Sequence, residues 1–133
     1  MNPHERLAFQ HGRFGAALAA LQEAVDTDSG DKKSRDSIVL SFVFSFEMAW
    51  KLLKAVLVAD GANPPDYAAG VIKAAFTARL LSDADLWVDL REARNDVSHA
   101  YDEQRAIAIA ALVKSRAVPV LRQLLSDLVP DHG

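Results

Sequence analysis

Cysteine is absent from this sequence, which excludes disulfides and every zinc or redox site built on thiolates and makes a reducing cytoplasm the simplest home. Glycine and proline are sparse, at 6 and 5 of 133 residues. Glycine-rich phosphate loops, zincin motifs and a nucleophile elbow are all missing, and with them the nucleotide, zinc-protease and hydrolase chemistries they carry. No apolar run reaches membrane length; the longest, Ala106 to Val113, is too short to cross a bilayer, and no charged-then-apolar leader stands at the start, so a soluble protein with no membrane contact is expected. Positive charge is also lacking: a net charge of -3 supplies no basic field for salt-driven coating of nucleic acid, so any RNA contact must be local. No stretch alternates apolar and polar residues over a strand's length, and there is no internal repeat or low-complexity tract.

What is there is helix-forming. Half of the residues are hydrophobic, many of them alanine, whose propensity is the highest and whose small side chain lets helices approach closely. The length suits one domain over residues 1–133 with a core of its own. Asn2, Pro3 and Glu5 read as an N-cap, a first-turn proline and a capping-box acid, and Leu7, Phe14, Leu18, Leu21 and Val25 recur at spacings of three and four. His11 falls on the same stripe, as an interface group or a satisfied core histidine. The polar run from Thr27 to Lys33, with Gly30, breaks that helix, and Ser34 is placed to cap a long second one from about Arg35 to Ala59. Its apolar face carries Val39, Phe42, Val43, Phe46, Ala49, Trp50, Leu53 and Val56. Glu47 lies at the edge of that face beside Trp50, where a carboxylate wants a cation; Arg94 is the expected partner, a solvated flank the alternative.

Gly61 and Pro64-Pro65 end helix two, and Asp66 is placed to cap a short helix bearing Val71, Ile72, Phe76 and Leu80. Ser82 opens the next, with Leu86, Trp87, Leu90, Ala93, Val97 and Tyr101 on its apolar face. Asp102 caps the last, built on Ile107, Ala111, Val118, Leu121, Leu125 and Leu128, with a bend expected at Pro119 because a mid-helix proline removes a hydrogen bond. The arithmetic predicts an all-α antiparallel up-down four-helix bundle with one additional short helix.

Chemistry concentrates in Arg94-Asn95-Asp96-Val97-Ser98-His99-Ala100-Tyr101-Asp102. Arginine is a fixed planar donor for phosphate or carboxylate, and histidine takes or gives a proton near neutral pH; together they point to phosphate-ester chemistry. Of the 4 histidines, His4 and His132 lie near the ends of the chain, which leaves His99 the best proton carrier. At about 100° per residue Tyr101 returns nearly over Arg94, whereas His99 sits roughly 140° away. One regular helix cannot aim both at one atom, so either the chain bends near His99 or a second copy supplies the missing group. On spacing alone, a charged helix end that complements the dipole accounts for Arg91, Arg94 and His99 at least as well. Ser82-Asp83-Ala84-Asp85 has the Asp-x-Asp spacing of magnesium-binding nucleotidyltransferases, but it follows a helix, lacks the Gly-Ser turn and reads as an N-cap with first-turn acids.

Arg35-Asp36-Ser37-Ile38 leading into Phe44-Ser45-Phe46-Glu47-Met48-Ala49-Trp50-Lys51-Leu52-Leu53-Lys54, then Lys73-Ala74-Ala75-Phe76, Trp87 and Arg94 to Glu103 together resemble the nucleotidyltransferase substrate-binding protein family, within the HEPN superfamily. The likeness runs over most of the chain. It implies the bundle just described, usually a homodimer, made beside a separate minimal nucleotidyltransferase with which it forms a complex. Many HEPN proteins of this kind are toxins, metal-independent ribonucleases with Arg, four residues, His, one residue, Tyr at the active site; Arg94, His99 and Tyr101 fit, with Asn95 as the polar residue after the arginine. Their nucleotidyltransferase partners can act as antitoxins, in some cases by adenylylating the tyrosine, here Tyr101.

The resemblance therefore implies Arg94 and His99 as catalytic groups, Asn95, Glu47 and Tyr101 as substrate contacts, RNA or a nucleotide as ligand, and no metal or other cofactor. In the ribonuclease reading His99 takes a proton from an RNA 2′-hydroxyl, Arg94 stabilises the phosphoryl oxygens, and the same histidine of a second copy protonates the leaving oxygen. In the rival reading the same groups grip a nucleotide or phosphorylated substrate and present it to the nucleotidyltransferase. A third, a bare assembly module, gives Arg94 and His99 no role beyond stability.

Overall fold

The computed structural model describes residues 1–130, and every element among them is helical; His132 lies outside them. Helix α1 (Pro3–Asp26) starts as the sequence dictates: the Asn2 side chain accepts from the Glu5 N–H at 2.8 Å, and Pro3 occupies the first turn, where its missing N–H is harmless. Helix α2 (Lys32–Ala59) begins three residues ahead of the expected Arg35, because Asp31 rather than Ser34 is its cap and accepts from the Ser34 N–H at 2.9 Å. The Ser34 hydroxyl instead receives the Ser29 N–H. Gly30, at φ 80°, makes the turn between the two helices.

Helix α2 touches every other long element and is the axis of the core. Phe42, Phe46, Ala49 and Leu53 are buried as expected, Ile38, Ser45, Leu52 and Leu57 widen the same face, and Met48 and Ala55 are buried farther round, so that more than half of the circumference is covered. Ser45, fully buried, satisfies its hydroxyl by donating to the Ala17 carbonyl of α1. The end of α2 is closed by Gly61 at φ 92°, whose turn lets the Ala62 N–H reach the Leu57 carbonyl at 2.9 Å.

Helix α3 (Ala68–Thr77) follows. Asp66 does not cap it; the carboxylate is engaged by Lys54 at 2.8 Å, and Tyr67 stands at the cap position without a side-chain bond. The same closing geometry recurs at the end of α3 with Arg79 at φ 63°, a left-handed conformation that costs a residue with a Cβ roughly 1–2 kcal/mol. Helix α4 (Ala84–Asp96) is capped by Asp83, not Ser82, through the Leu86 N–H at 3.1 Å. Capping is thus the role of the Asp-x-Asp pair's first carboxylate. A 3₁₀ turn (Val97–His99) and a short bend lead to α5 (Glu103–Leu112), where Asp102 caps by accepting from the Gln104 and Arg105 N–H groups.

The last rod departs from the expected stripe. Ile107 and Ala111 face outward, and Ala106 and Ala110 are buried in their place. The reason is a π turn (Val113–Ala117) between α5 and α6 (Val118–Asp127). Its wider winding adds one residue, so the buried face that runs through Val118 and Leu121 continues on the other side one position earlier than a regular helix requires. Pro119 sits in the first turn of α6, where its lost N–H is accommodated by that widened turn. His11 proves a satisfied partner of the core: its Nε2 meets the Leu125 carbonyl at 3.0 Å.

Candidate functional site

The end of α4 and the entry to α5 form one small, polar corner. Regular helix stops at Asp96, the Ala100 N–H closes the 3₁₀ turn on the Val97 carbonyl, and the Asp102 N–H closes the bend on the His99 carbonyl, each at 3.0 Å. Arg105, in the first turn of α5, reaches back to Asp96 at 3.2 Å and clamps the two helix ends together. The bend is therefore fixed from inside by backbone bonds and from outside by an ion pair.

On this frame Arg94 is half-buried in the last turn of α4, and Asn95 and His99 are exposed. Tyr101, expected on the apolar face of α4, is 86% exposed because the helix ends before reaching it. It lies beside His99 instead, ring centroids 6.1 Å apart at 59°. The chain does turn near His99. Yet a 3₁₀ turn winds at about 120° per residue, which carries His99 farther round from Arg94 than a regular helix would, to roughly 180°. His99 and Tyr101 are brought together; by that winding Arg94 leaves α4 in a different direction, and it is half-covered rather than sealed in.

Glu47 is not joined to Arg94 in an ion pair among the described residues. Its carboxylate accepts from the Trp50 indole N–H at 2.9 Å, a partner three residues on along the same helix that needs no change of backbone to reach. Arg91, one turn before Arg94, opens onto a different surface, a groove of about 540 Å³ between α3 and α4 shared with Lys73 and Phe76 and floored by the buried Trp87.

Arg35 was not singled out by sequence reasoning as a site residue. At the start of α2, with its side chain 14% exposed, it crosses to Glu103 of α5 at 3.4 Å, next to the Tyr101–Asp102 bend, and its Nε has no hydrogen-bond partner among the described residues. The signal was a cation in the first turn of an apolar helix, where the dipole disfavours it and some acidic or anionic partner must offset the mismatch.

A protein of Haemophilus influenzae (strain ATCC 51907 / DSM 11121 / KW20 / Rd) described as "Probable ribonuclease HepT" is 32% identical over 79 residues, which are 56% of this chain and 54% of that protein. The chain thus spans about half the length of the curated relative it matches. Residues 10–129, from the first turns of α1 to beyond the end of α6, match the sequence pattern of the family described as "Nucleotidyltransferase substrate binding protein like". With that match covering nearly every described element, the chain belongs to the nucleotidyltransferase substrate binding protein like family.

Proposed function

We propose that this chain is the HEPN-type partner of a separate minimal nucleotidyltransferase in a two-component, toxin-antitoxin-like system of the cytoplasm, and that it cuts RNA without a metal ion through Arg94 and His99. The observation that carries the reading is the α4 exit, where an exposed imidazole and phenol lie side by side on the turn and bend that follow a half-buried guanidinium. The relatives support it: the family is described as "Nucleotidyltransferase substrate binding protein like" and the Haemophilus influenzae protein as "Probable ribonuclease HepT". The fold behind the reading is one domain, an antiparallel four-helix bundle of α1, α2, α4 and the α5–α6 rod with α3 as the additional helix. The packing of α1 on α2 and α6, and of α5 on α2 and α4, supports that arrangement.

A second copy completes the site. Within one chain Arg94 and His99 diverge around the helix exit, whereas a twofold axis through that exit sets the guanidinium of one copy against the imidazole of the other. One His99 takes the proton of the RNA 2′-hydroxyl as that oxygen attacks phosphorus. The bond from phosphorus to the 5′-oxygen breaks, the leaving oxygen takes a proton from the second histidine, and a 2′,3′-cyclic phosphate remains. Arg94 offers paired N–H donors to the phosphoryl oxygens, whose charge grows in the transition state. Asn95, Tyr101 and the second carboxylate oxygen of Glu47 are the remaining substrate contacts. The exposure of Tyr101 suits it to accept an adenylyl group from the partner enzyme, which would silence the turn by placing a phosphate beside His99.

Purified full-length protein mixed with single-stranded RNA in chelator tests this. The native chain is expected to cleave, and His99→Ala to slow cleavage by about 10²–10⁴-fold, with thermal unfolding unchanged because the ring is exposed. Cleavage that survives His99→Ala and Arg94→Ala, or a native protein that never cleaves, ends the ribonuclease reading. In the second case nucleotide binding lost in Arg94→Ala would transfer the site to substrate presentation.

A further inference from the structure

Two of the separated motifs that carry the family likeness, Lys73-Ala74-Ala75-Phe76 and Trp87, take no part in the α4 exit; they meet in the groove of about 540 Å³ between α3 and α4. Helix α3 packs chiefly on α2 and only lightly on α4, so the two walls stand apart over the buried Trp87 ring. Those walls repeat with helical period. Ala69, Ile72 and Phe76 line one side, Ala84 and Val88 the other, each wall running about two turns, or about 10 Å at 1.5 Å per residue. Val88 is 50% exposed and Tyr67, at the head of α3, 59%, and both border this one continuous trough. Tyr67 is held in place as well. A Cβ at Gly70 would collide with the Pro65 ring and lie 2.9 Å from the Tyr67 Cζ, so only a bare glycine backbone lets the phenol rest against the first turn of α3. The wall is set before anything binds.

A second, independent observation gives the charge of the occupant. The chain has 18 acids to 15 bases, yet the groove is lined by two cations, Lys73 on the α3 wall and Arg91 on the α4 wall, and by no carboxylate. Both are exposed, and neither takes part in an ion pair among the described residues. An occupant lying between the walls therefore meets apolar side chains beneath it and a positive charge on each flank. A compact aromatic anion fills only part of a trough two turns long. A helix matches all of it, because apolar residues at i, i+3, i+4 and i+7 repeat over the same length as the walls and leave both flanks for acids.

We infer that the α3–α4 groove docks an amphipathic helix of a partner protein, its apolar stripe laid over Phe76, Trp87 and Val88 and its flanking carboxylates paired with Lys73 and Arg91. This goes beyond the ribonuclease reading and does not depend on it, since the groove contains none of the residues of the α4 exit.

Titration of the isotope-labelled full-length protein with a synthetic alanine-based peptide of about 18 residues, long enough to be helical in water, tests the inference. The peptide carries leucine at i, i+3, i+4 and i+7 and glutamate along both flanks. Saturable binding is expected, with amide shifts confined to α3, α4 and the segment around Tyr67. Lysine in place of glutamate, or serine in place of leucine, should weaken binding at least about tenfold. The double variant Lys73→Glu, Arg91→Glu should invert the order, so that the lysine peptide binds better than the glutamate one, a reversal that damage to the fold does not produce. Val88→Asp should weaken the glutamate peptide by about tenfold with thermal unfolding unchanged, while Lys33→Glu, at an exposed cation outside the groove, leaves its binding as it was. No saturable binding, shifts on another face, or an unchanged peptide preference after the double charge reversal would each overturn the assignment. So would adenosine 5′-monophosphate giving the same shifts at lower concentration, which makes the groove a nucleotide site, or shifts of the wall residues on dilution without peptide, which makes a second copy the occupant. No arm contains RNA, so failure here leaves the cleavage test untouched, and failure there leaves this one standing.

Discussion

The α1–α2 pair and the α4 exit are built on opposite terms. In the first, two helices of 24 and 28 residues bury phenylalanine and leucine side chains along their whole shared length, and even the one buried hydroxyl, of Ser45, is satisfied across the interface. In the second, a 13-residue helix gives way to a 3₁₀ turn and a bend whose Ser98, His99 and Tyr101 side chains stand in water, held by backbone bonds, one cap and one ion pair. The lesson is a division of labour: apolar burial supplies the stability, while the residues with proton- and phosphate-handling chemistry sit where burial contributes little and their charge is not desolvated.

The sharpest way to break that division is to damage the first region and ask whether the second survives. Phe42 is fully buried, 6.2 Å from the Phe46 ring, in the middle of α2. Phe42→Ala is expected to lower unfolding free energy by about 3–5 kcal/mol, through lost transfer free energy and a cavity the rigid neighbours cannot fill. Denaturant titration measures it. If RNA cleavage, assayed well below the lowered melting temperature, is unchanged, the two regions are separable; a loss below about 1 kcal/mol would show that the α1–α2 contact is not the core it looks to be.

Damaging the second region should give the reverse pattern. Asp102 is the only side-chain cap of α5 and accepts from two N–H groups, and it also ends the bend that carries His99 and Tyr101. Asp102→Ala is expected to lower stability by about 1 kcal/mol, while Asp102→Asn, an equally good cap, costs much less. Cleavage should fall more in Asp102→Ala than in Phe42→Ala despite the smaller loss of stability. Equal cleavage in the two would mean that the bend keeps its geometry without its cap.

The two regions also differ in how much of them was legible from residues alone. The buried faces of α1 and of the middle of α2 followed from spacing, because a helix at 3.6 residues per turn has one phase and nothing in those segments disturbs it. The caps were legible in kind but not in place. Asp31, Tyr67 and Asp83 stand at cap positions where Ser34, Asp66 and Ser82 were expected, since neighbouring polar residues compete and tertiary partners such as Lys54 decide which is spared. The phase of α5 could not be read, because Pro119 announces a disturbance without saying that a π turn one turn earlier absorbs it. Arg94, His99 and Tyr101 were visible as residue types, but the Glu47–Arg94 pair was wrong, because a carboxylate takes the nearest donor and Trp50 is nearer. Gln10, a buried polar residue of α1, escaped notice because its stripe was judged by the apolar residues on either side.

The smallest effect separates the regions by pH. Three carboxyls that fasten α1, α2 and the turns around them sit below their ordinary value of 3.8: the largely covered Asp28 through the Lys114 ammonium, and the exposed Asp31 through the Ser34 hydroxyl and N–H and Asp66 through Lys54. A carboxyl whose pKa is depressed on folding binds its proton more readily in the unfolded chain. Its contribution is therefore complete above the unfolded value and disappears as pH falls through the lower, folded one. Acidification from about pH 5 to about pH 2 should lower the melting temperature of the native chain, and the triple variant Asp28→Asn, Asp31→Asn, Asp66→Asn should lose less over that interval while starting lower at neutral pH. Salt should shrink the exposed Lys54–Asp66 contribution most, the Lys114–Asp28 one less because that carboxylate is largely covered, and leave the Ser34 one, a hydrogen-bonded cap, nearly intact. A triple variant that tracks the native chain at every pH would show that the corner between α1 and α2 is held by its apolar contacts alone.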